Sequence, residues 1–296
     1  MQTLGDSSED QLISRITERL VQRDDVQIGP GDDCAVVDLG NGQLQLLKTD
    51  CVVEGVHFYP DEKAERVGWK AIARVVSDIA AMGGTPQAFV VTLVLRADTS
   101  LDWLDGLYSG MQKCASRFDV SIVGGETSSA PEGSANVISI AGTGHVKESN
   151  LVLRSSAKVG DSIFVTGDLG GSIKGKHLDF IPRLHEAQWL VENHSPSAMM
   201  DLSDGLAKDL PRMAKLSDVG YLVDFENVPT NAGCKLAQAL SDGEDYELLF
   251  TCPESEVEEL QRHWPKSFPK LSKIGKITNQ SVEQSNDLQG GWDHFS

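Results

Sequence analysis

The carboxylates of this chain are gathered rather than spread. They form short acidic knots beside Gly, Ser or Thr: Gly31-Asp32-Asp33, Thr49-Asp50, Ser77-Asp78, Gly124-Gly125-Glu126-Thr127, Asp201-Leu202-Ser203-Asp204-Gly205 and Gly243-Glu244-Asp245. Most stand where an apolar run meets a turn, so a fold built from those runs carries its acids at element ends, where they can converge on one mouth of a core. Converging carboxylates repel unless cations lie between them, and the pattern therefore asks for divalent metal. Hard oxygen ligands next to glycine turns suit Mg²⁺ holding a phosphate, because glycine lets backbone N–H groups approach the anion.

The apolar runs place those knots. Leu12, Ile13, Ile16 and Leu20 fall at helical spacing over 9–22, and Gln43–Val53 and Gln87–Leu95 alternate as strands around a long helix over 62–82. A helix over 101–118 follows, capped by Thr99 or Ser100, then a short strand over 120–123 and a longer one over 136–146. Around Lys147–Asn150 the chain turns polar and the pattern restarts, so two domains are expected, 1–148 and 149–296. In the second, strands at 161–166, 198–201, 220–225, 247–251 and 270–277 are interleaved with helices at 184–192, 204–216, 232–240 and 254–263. The mixture is α+β.

Charge narrows the partners. With 26 basic and 44 acidic side chains, a formal net of −18, the chain repels nucleic acid and anionic membranes, yet metal ions and a few aimed cations still allow a nucleotide. The five cysteines are odd in number and include no C-x-x-C pair, so neither a disulfide framework nor a zinc site is indicated and a reduced, cytoplasmic setting fits best. No stretch approaches the roughly 20 apolar residues needed to cross a bilayer, and no basic region followed by an apolar core opens the chain.

Each knot also has a plainer meaning. Asp32-Asp33 could be an Asp-rich turn, Gly124-Gly125 an ordinary turn after a short strand, and Ser203 or Asp204 the cap of the following helix, although capping needs only one of them. Asp78 lies among Val75, Val76, Ile79 and Ala80, which leaves it little polar face. His57 follows the Asp50 knot closely, whereas the histidines give no i,i+4 metal pair. There is no G-x-x-x-x-G-K-[ST] and no dinucleotide G-x-G-x-x-G in a strand-to-helix setting, so a P-loop kinase is disfavoured.

Taken in order, Gly31-Asp32-Asp33-Cys34-Ala35, Thr49-Asp50 with Val53-Glu54-Gly55-Val56-His57-Phe58, Ser77–Gly83, Asp201–Leu206, Gly243–Leu248 and the tail Gly291-Trp292-Asp293-His294-Phe295 resemble the thiamine-monophosphate kinase family of the aminoimidazole ribonucleotide synthetase-like superfamily. The resemblance implies an N-terminal sheet that forms a barrel across a homodimer, a C-terminal α/β sandwich, and ATP-dependent conversion of thiamine monophosphate to the diphosphate with several Mg²⁺ ions. By the same resemblance Asp33, Thr49, Asp50, Asp78, Glu126, Asp201 and Asp204 form the metal shell, and Gly124, Gly125, Arg154 and Ser203 contact ATP. His57, Glu244 and Trp292 would hold the acceptor, with Asp50, Asp78 and Arg154 closest to the chemistry.

This chain departs from the family pattern at Glu126, where Asp is usual, at Lys48, where Ser or Thr is usual, and in a shortened segment over 175–183. These departures keep two other readings open: another ATP-using member of the superfamily, or a nucleotide-binding homologue with reduced turnover. In a regular strand Lys48 shares a face with Asp50, and its ammonium then either pairs with carboxylate oxygens or snorkels out to solvent.

Overall fold

In the computed structural model, which describes residues 3–40, 42–286, 288 and 290–292, the chain builds two sheets with a helical layer between them. After helix α1 (Glu9–Thr17) come β1 (Val26–Ile28), β2 (Ala35–Asp38), β3 (Gln43–Val53), α2 (Ala64–Ala81), β4 (Thr85–Arg96), α3 (Leu101–Arg117), β5 (Ser121–Ala130) and β6 (Val137–Lys147). These strands form one sheet in the order β1-β2-β3-β6-β4-β5, antiparallel except for the parallel β4–β5 pair. The second half holds β7 (Ser162–Thr166), α4 (Leu184–Asn193), β8 (Ala198–Asp201), α5 (Leu206–Leu216), β9 (Gly220–Val223), α6 (Leu236–Ser241), β10 (Leu248–Cys252), α7 (Val257–His263) and β11 (Leu271–Thr278). Its strands form an antiparallel sheet in the order β8-β10-β7-β11-β9.

Helix α2 is the centre of the molecule. Val67, Ala71, Ile72, Val75, Val76 and Ile79 are all buried, packed on Leu44, Leu46, Phe89 and Val91 of the first sheet and sharing a core with Phe164, Met199 and Phe250 of the second. An apolar surface wrapping most of a helix demands cover on several sides, and here both sheets supply it. Alternation in β7 does the bridging: Phe164 faces that shared core, while Ile163 and Val165 face a second core with Leu206, Leu210 and Met213 of α5. Helix α3 lies close against α2 because Gly68 and Gly110 leave room for the opposing backbones of Leu107 and Glu65. Ser100 caps α3, its side chain accepting the Trp103 N–H at 3.1 Å.

Among the described residues the first sheet has helices on one face only. Its other face carries Leu47, Val90 and Val123, exposed at 40%, 40% and 62%. β3 spans the residues expected of it. β5 does not: the expected strand over 120–123 with a Gly-Gly turn is instead a strand continuing to Ala130, because residues 124–130 pair in parallel with Val90–Arg96 of β4. Gly125 is needed there, since a Cβ on it would lie 2.0 Å from the Val91 carbonyl oxygen. Helix α1 stops at Thr17, short of the expected 22. Among the described residues no helix is long and apolar enough to cross a membrane.

Candidate active site

The two halves enclose a cavity of about 590 Å³ whose walls come from both sheets and from α2. β3 has a single face toward α2, so Lys48 and Asp50 enter the site together. α2 lines it with Arg74 and Asp78, and the fully buried Lys70, one turn before Arg74 on the same side, reaches the lining residue Glu244. Asp32 and Asp33 come from the turn before β2, Arg154 from the short turn after β6, and Asp201 from the end of β8.

Ser203 and Asp204 follow β8 and are not spent on capping α5. The buried Asp209, inside that helix, accepts the N–H groups of Asp204 and Gly205 at 3.0 and 3.1 Å, leaving the Ser203 and Asp204 side chains to line the cavity.

One oxygen each from Asp33, Asp78 and Asp201 lie within 4.8 Å of one another, all three residues being buried. Protein cations surround the acids. Lys48 Nζ is 2.8 Å from Asp78 Oδ1, Arg74 Nε is 2.8 Å from Asp50 Oδ2, Arg154 pairs with Asp33, and Asp204 meets Lys208 and Arg212 at 3.2 and 3.1 Å. Asp201 has a neutral partner, the Ser77 hydroxyl, which donates to it at 2.5 Å. Charge is still not balanced locally: burial and then the Asp33 charge push Asp201 up to about 7, and burial with Asp33 pushes Asp32 up to about 6. Asp33 Oδ2 is buried with no hydrogen-bond partner among the described residues. Clustered acids held above their ordinary range, with one carboxylate oxygen unsatisfied, are a donor set that fits a hard divalent cation.

The opposite wall is built around Glu244. Gly243, Glu244 and Tyr246 all have left-handed backbone, with φ of 69°, 53° and 52°. For the two non-glycine residues this is strain, and Asp245 between them pins the loop by accepting the Gly170 N–H at 3.0 Å and the Ser172 hydroxyl. The Glu244 carboxylate lies 2.7 Å from both Lys70 Nζ and His177 Nδ1. Burial alone would raise it, but His177, Lys70 and Arg74 hold it below the usual carboxylate range. His57 accepts the Val53 N–H on Nδ1 at 3.0 Å, which leaves Nε2 to carry the proton, and its carbonyl accepts from Lys70 at 2.9 Å. Trp292 stands at the rim, 44% exposed, its backbone N–H donating to the Asp204 carbonyl at 2.9 Å.

Of the residues expected at the site, the structure brings together Asp50, His57, Asp78, Arg154, Asp201, Ser203, Asp204, Glu244 and Trp292 around the cavity, with Asp33 beside it in the acid cluster. Thr49 is not among the cavity-lining residues: its side chain is on the opposite face of β3 from Asp50. Gly124, Gly125 and Glu126 lie on edge strand β5, across β6 and β4 from Asp50. Asp293, His294 and Phe295 of the tail motif fall outside the described residues. Lys70, Arg74 and His177 were not anticipated. The first two had a legible signal, basic residues four apart leading to Asp78 in a helix that is mostly apolar from Val67 onward.

A two-domain fold with this acid-lined cleft defines a class. Residues 31–146 match the model for the AIR synthase related protein, N-terminal domain, and residues 174–286 match that for the C-terminal domain. The Rhodopirellula baltica thiamine-monophosphate kinase is 34% identical over 292 residues, covering 92% of this chain and 90% of the relative; that of Escherichia coli K12 is 33% identical with 82% of each covered. The chain belongs to the thiamine-monophosphate kinase family. Among solved structures, AaThiL complexed with AMPPCP and TMP superposes with a TM-score of 0.86 at 28% identity over 99% of each chain. Thiamine monophosphate kinase from Aquifex aeolicus gives 0.77 at 27% identity over 92% and 94%.

Proposed function

We propose that this protein transfers the γ-phosphoryl group of ATP to the phosphate of thiamine monophosphate. A terminal phosphate oxygen of the acceptor forms a bond to the γ-phosphorus as the bond to the β,γ-bridging oxygen breaks, giving thiamine diphosphate and ADP. The observation that carries this is one cavity lined by an acid cluster with Arg154 and by His57 and Glu244, with Trp292 at its rim beside Asp204.

The acceptor phosphate has its second ionisation near pH ~6, so it arrives as a nucleophile and needs no strong base. Alignment and charge neutralisation then remain, as in phosphoryl transfer generally. Asp33, Asp50, Asp78, Asp201 and Asp204 are the residues that would hold Mg²⁺, which when bound neutralises charge on the transferring phosphoryl oxygens. Arg154 is a fixed positive charge beside that cluster, Ser203 offers a hydroxyl to the nucleotide, and Trp292 suits the flat, cationic acceptor by stacking or cation–π attraction. Glu244 stays ionised, its carboxylate held by Lys70 and His177.

The proposal includes a homodimer. The helix-free face of the first sheet exposes Leu47, Val90 and Val123, and a second copy on that face would close a barrel and cover them. Thr49 and Glu126 point to this same side, so their place in the metal shell, and the nucleotide contacts of Gly124 and Gly125, would depend on the second copy. We read residues 1–148 as the metal-binding and dimerisation domain and 149–296 as the domain completing the nucleotide and acceptor site.

Purified protein with ATP and Mg²⁺ is expected to form thiamine diphosphate from thiamine monophosphate, resolved chromatographically, and to leave free thiamine untouched. Equal turnover of free thiamine, or ATP consumption without diphosphate, would contradict the assignment. Sedimentation measures the dimer, and a monomer at micromolar concentration would remove the barrel.

A further inference from the structure

Lys48 is an unusual residue to find inside an acid cluster that fits metal. Its side chain is 22% exposed and that of Asp78 is 9% exposed, so the ammonium has left bulk water to sit 2.8 Å from Asp78 Oδ1. Burial opposes the charged form of Lys48, yet Asp78, Asp50 and Asp33 together outweigh it and hold the ammonium above its ordinary range. Arg74 is engaged with Asp50 and Arg154 with Asp33, so Lys48 is the ammonium that serves Asp78. The snorkelling alternative is not what the strand does.

An ammonium and a divalent ion are not interchangeable on the same oxygen. Mg²⁺ takes a carboxylate oxygen at about 2.0–2.1 Å and requires further oxygen donors around it, whereas an ammonium donates hydrogen bonds and offers no lone pair. With Nζ on Asp78 Oδ1, a metal approaching that oxygen meets a like charge and a side chain with nothing to contribute. Elsewhere in the cluster, among the described residues, Asp33 Oδ2 has no hydrogen-bond partner and Asp201 is held by the neutral Ser77 hydroxyl, so those oxygens remain open to metal.

We infer that the Lys48 ammonium occupies one of the cation positions of this acid cluster, so that the chain binds nucleotide with one divalent ion fewer than it would with an oxygen donor at residue 48. The inference rests on the proposed ATP and metal site but not on the identity of the acceptor. A tethered cation is always present, so this position makes no demand on free metal. It brings one positive charge rather than two.

The test counts metal. Crystals of the full chain with Mn²⁺ and a non-hydrolysable ATP analogue, without acceptor, are measured at the manganese edge for wild type, Lys48→Thr and Lys48→Arg. In wild type and Lys48→Arg the side chain is expected on Asp78 with no anomalous peak on the oxygen it holds, and Lys48→Thr is expected to gain one Mn²⁺ on Asp78. Equal Mn²⁺ counts in wild type and Lys48→Thr, or wild-type Mn²⁺ on Asp78 Oδ1 with the ammonium displaced, overturn the inference while leaving the metal site standing. No Mn²⁺ in any of the proteins overturns the metal site and the inference with it. Thermal melts with and without Mn²⁺ guard against a variant that is unstable when metal-free: Lys48→Thr is expected to melt lower without Mn²⁺ and to be raised further by it than wild type. Equal rises count against the inference.

Discussion

Gly68→Ala should break the packing that sets the position of α2. In an exposed helix this change stabilises by up to about 1 kcal/mol, because alanine has the better helix propensity. Here the added Cβ would lie 2.0 Å from the Leu107 carbonyl oxygen and 2.9 Å from the Met111 nitrogen. Carbon and oxygen tolerate about 3.3–3.6 Å, so α2 and α3 would have to part by roughly 1.3–1.6 Å. Neither neighbour is a side chain that can rotate away. Overpacking of this kind costs about 1–3 kcal/mol, which outweighs the propensity gain. The same displacement moves Lys70, Arg74 and Asp78, and a shift of about 1 Å at reacting groups can cost on the order of 100-fold in rate. Gly106→Ala is the graded control, since its Cβ would meet side chains rather than backbone, the Ala64 methyl at 3.0 Å and the Glu65 carboxylate at 3.5 Å. Urea midpoints and kcat for both variants give the comparison: Gly68→Ala is expected to lose stability and turnover, and Gly106→Ala to change little. A raised midpoint for Gly68→Ala would refute the reasoning.

Asp50→Asn and Asp78→Asn are each expected to abolish diphosphate formation and to lower the melting midpoint, because the repulsion relieved among the remaining acids is outweighed by leaving Arg74 or Lys48 without its ion-pair partner; near-normal turnover in both would take these residues out of the site. Trp292→Ala should raise KM for the acceptor more than it lowers kcat, and an unchanged KM would leave Trp292 a surface aromatic. Burial pushes Asp245 from its ordinary 3.8 up to about 6, so folding favours its neutral acid. That contribution is complete below the unfolded value and is lost as pH climbs through 6, so wild type should lose up to ~3 kcal/mol relative to Asp245→Asn between pH 4 and 7. Parallel urea midpoints across that range would sink this.

Much of the architecture is legible in the chain because it follows from local periodicity. Alternating Leu and Val define β3, apolar residues three and four apart define α2, and Ser100 marks the start of α3. The acidic knots were legible too, since a carboxylate beside glycine at an element end is a local pattern. β5 was not, because Gly124-Gly125 looks like a turn until a parallel partner supplies its hydrogen bonds, and that partner lies about thirty residues away.

What the amino-acid order determined by itself was the set of groups available to the chemistry: the acids, Arg154, His57, Glu244 and Trp292, and the alternation that puts Lys48 with Asp50 and turns Thr49 away. Which charges meet was decided only by the tertiary structure. Asp33, Asp78 and Asp201 come from a turn, a helix and a strand of the other half, and no spacing along the chain states that their oxygens lie within 4.8 Å. Nor does it state that Lys48 lies on Asp78, or that Lys70 reaches Glu244 across 174 residues. Periodicity acts over a few residues through backbone geometry, whereas these contacts exist because burying the apolar surface of α2 draws both sheets around it and brings these polar groups to one place.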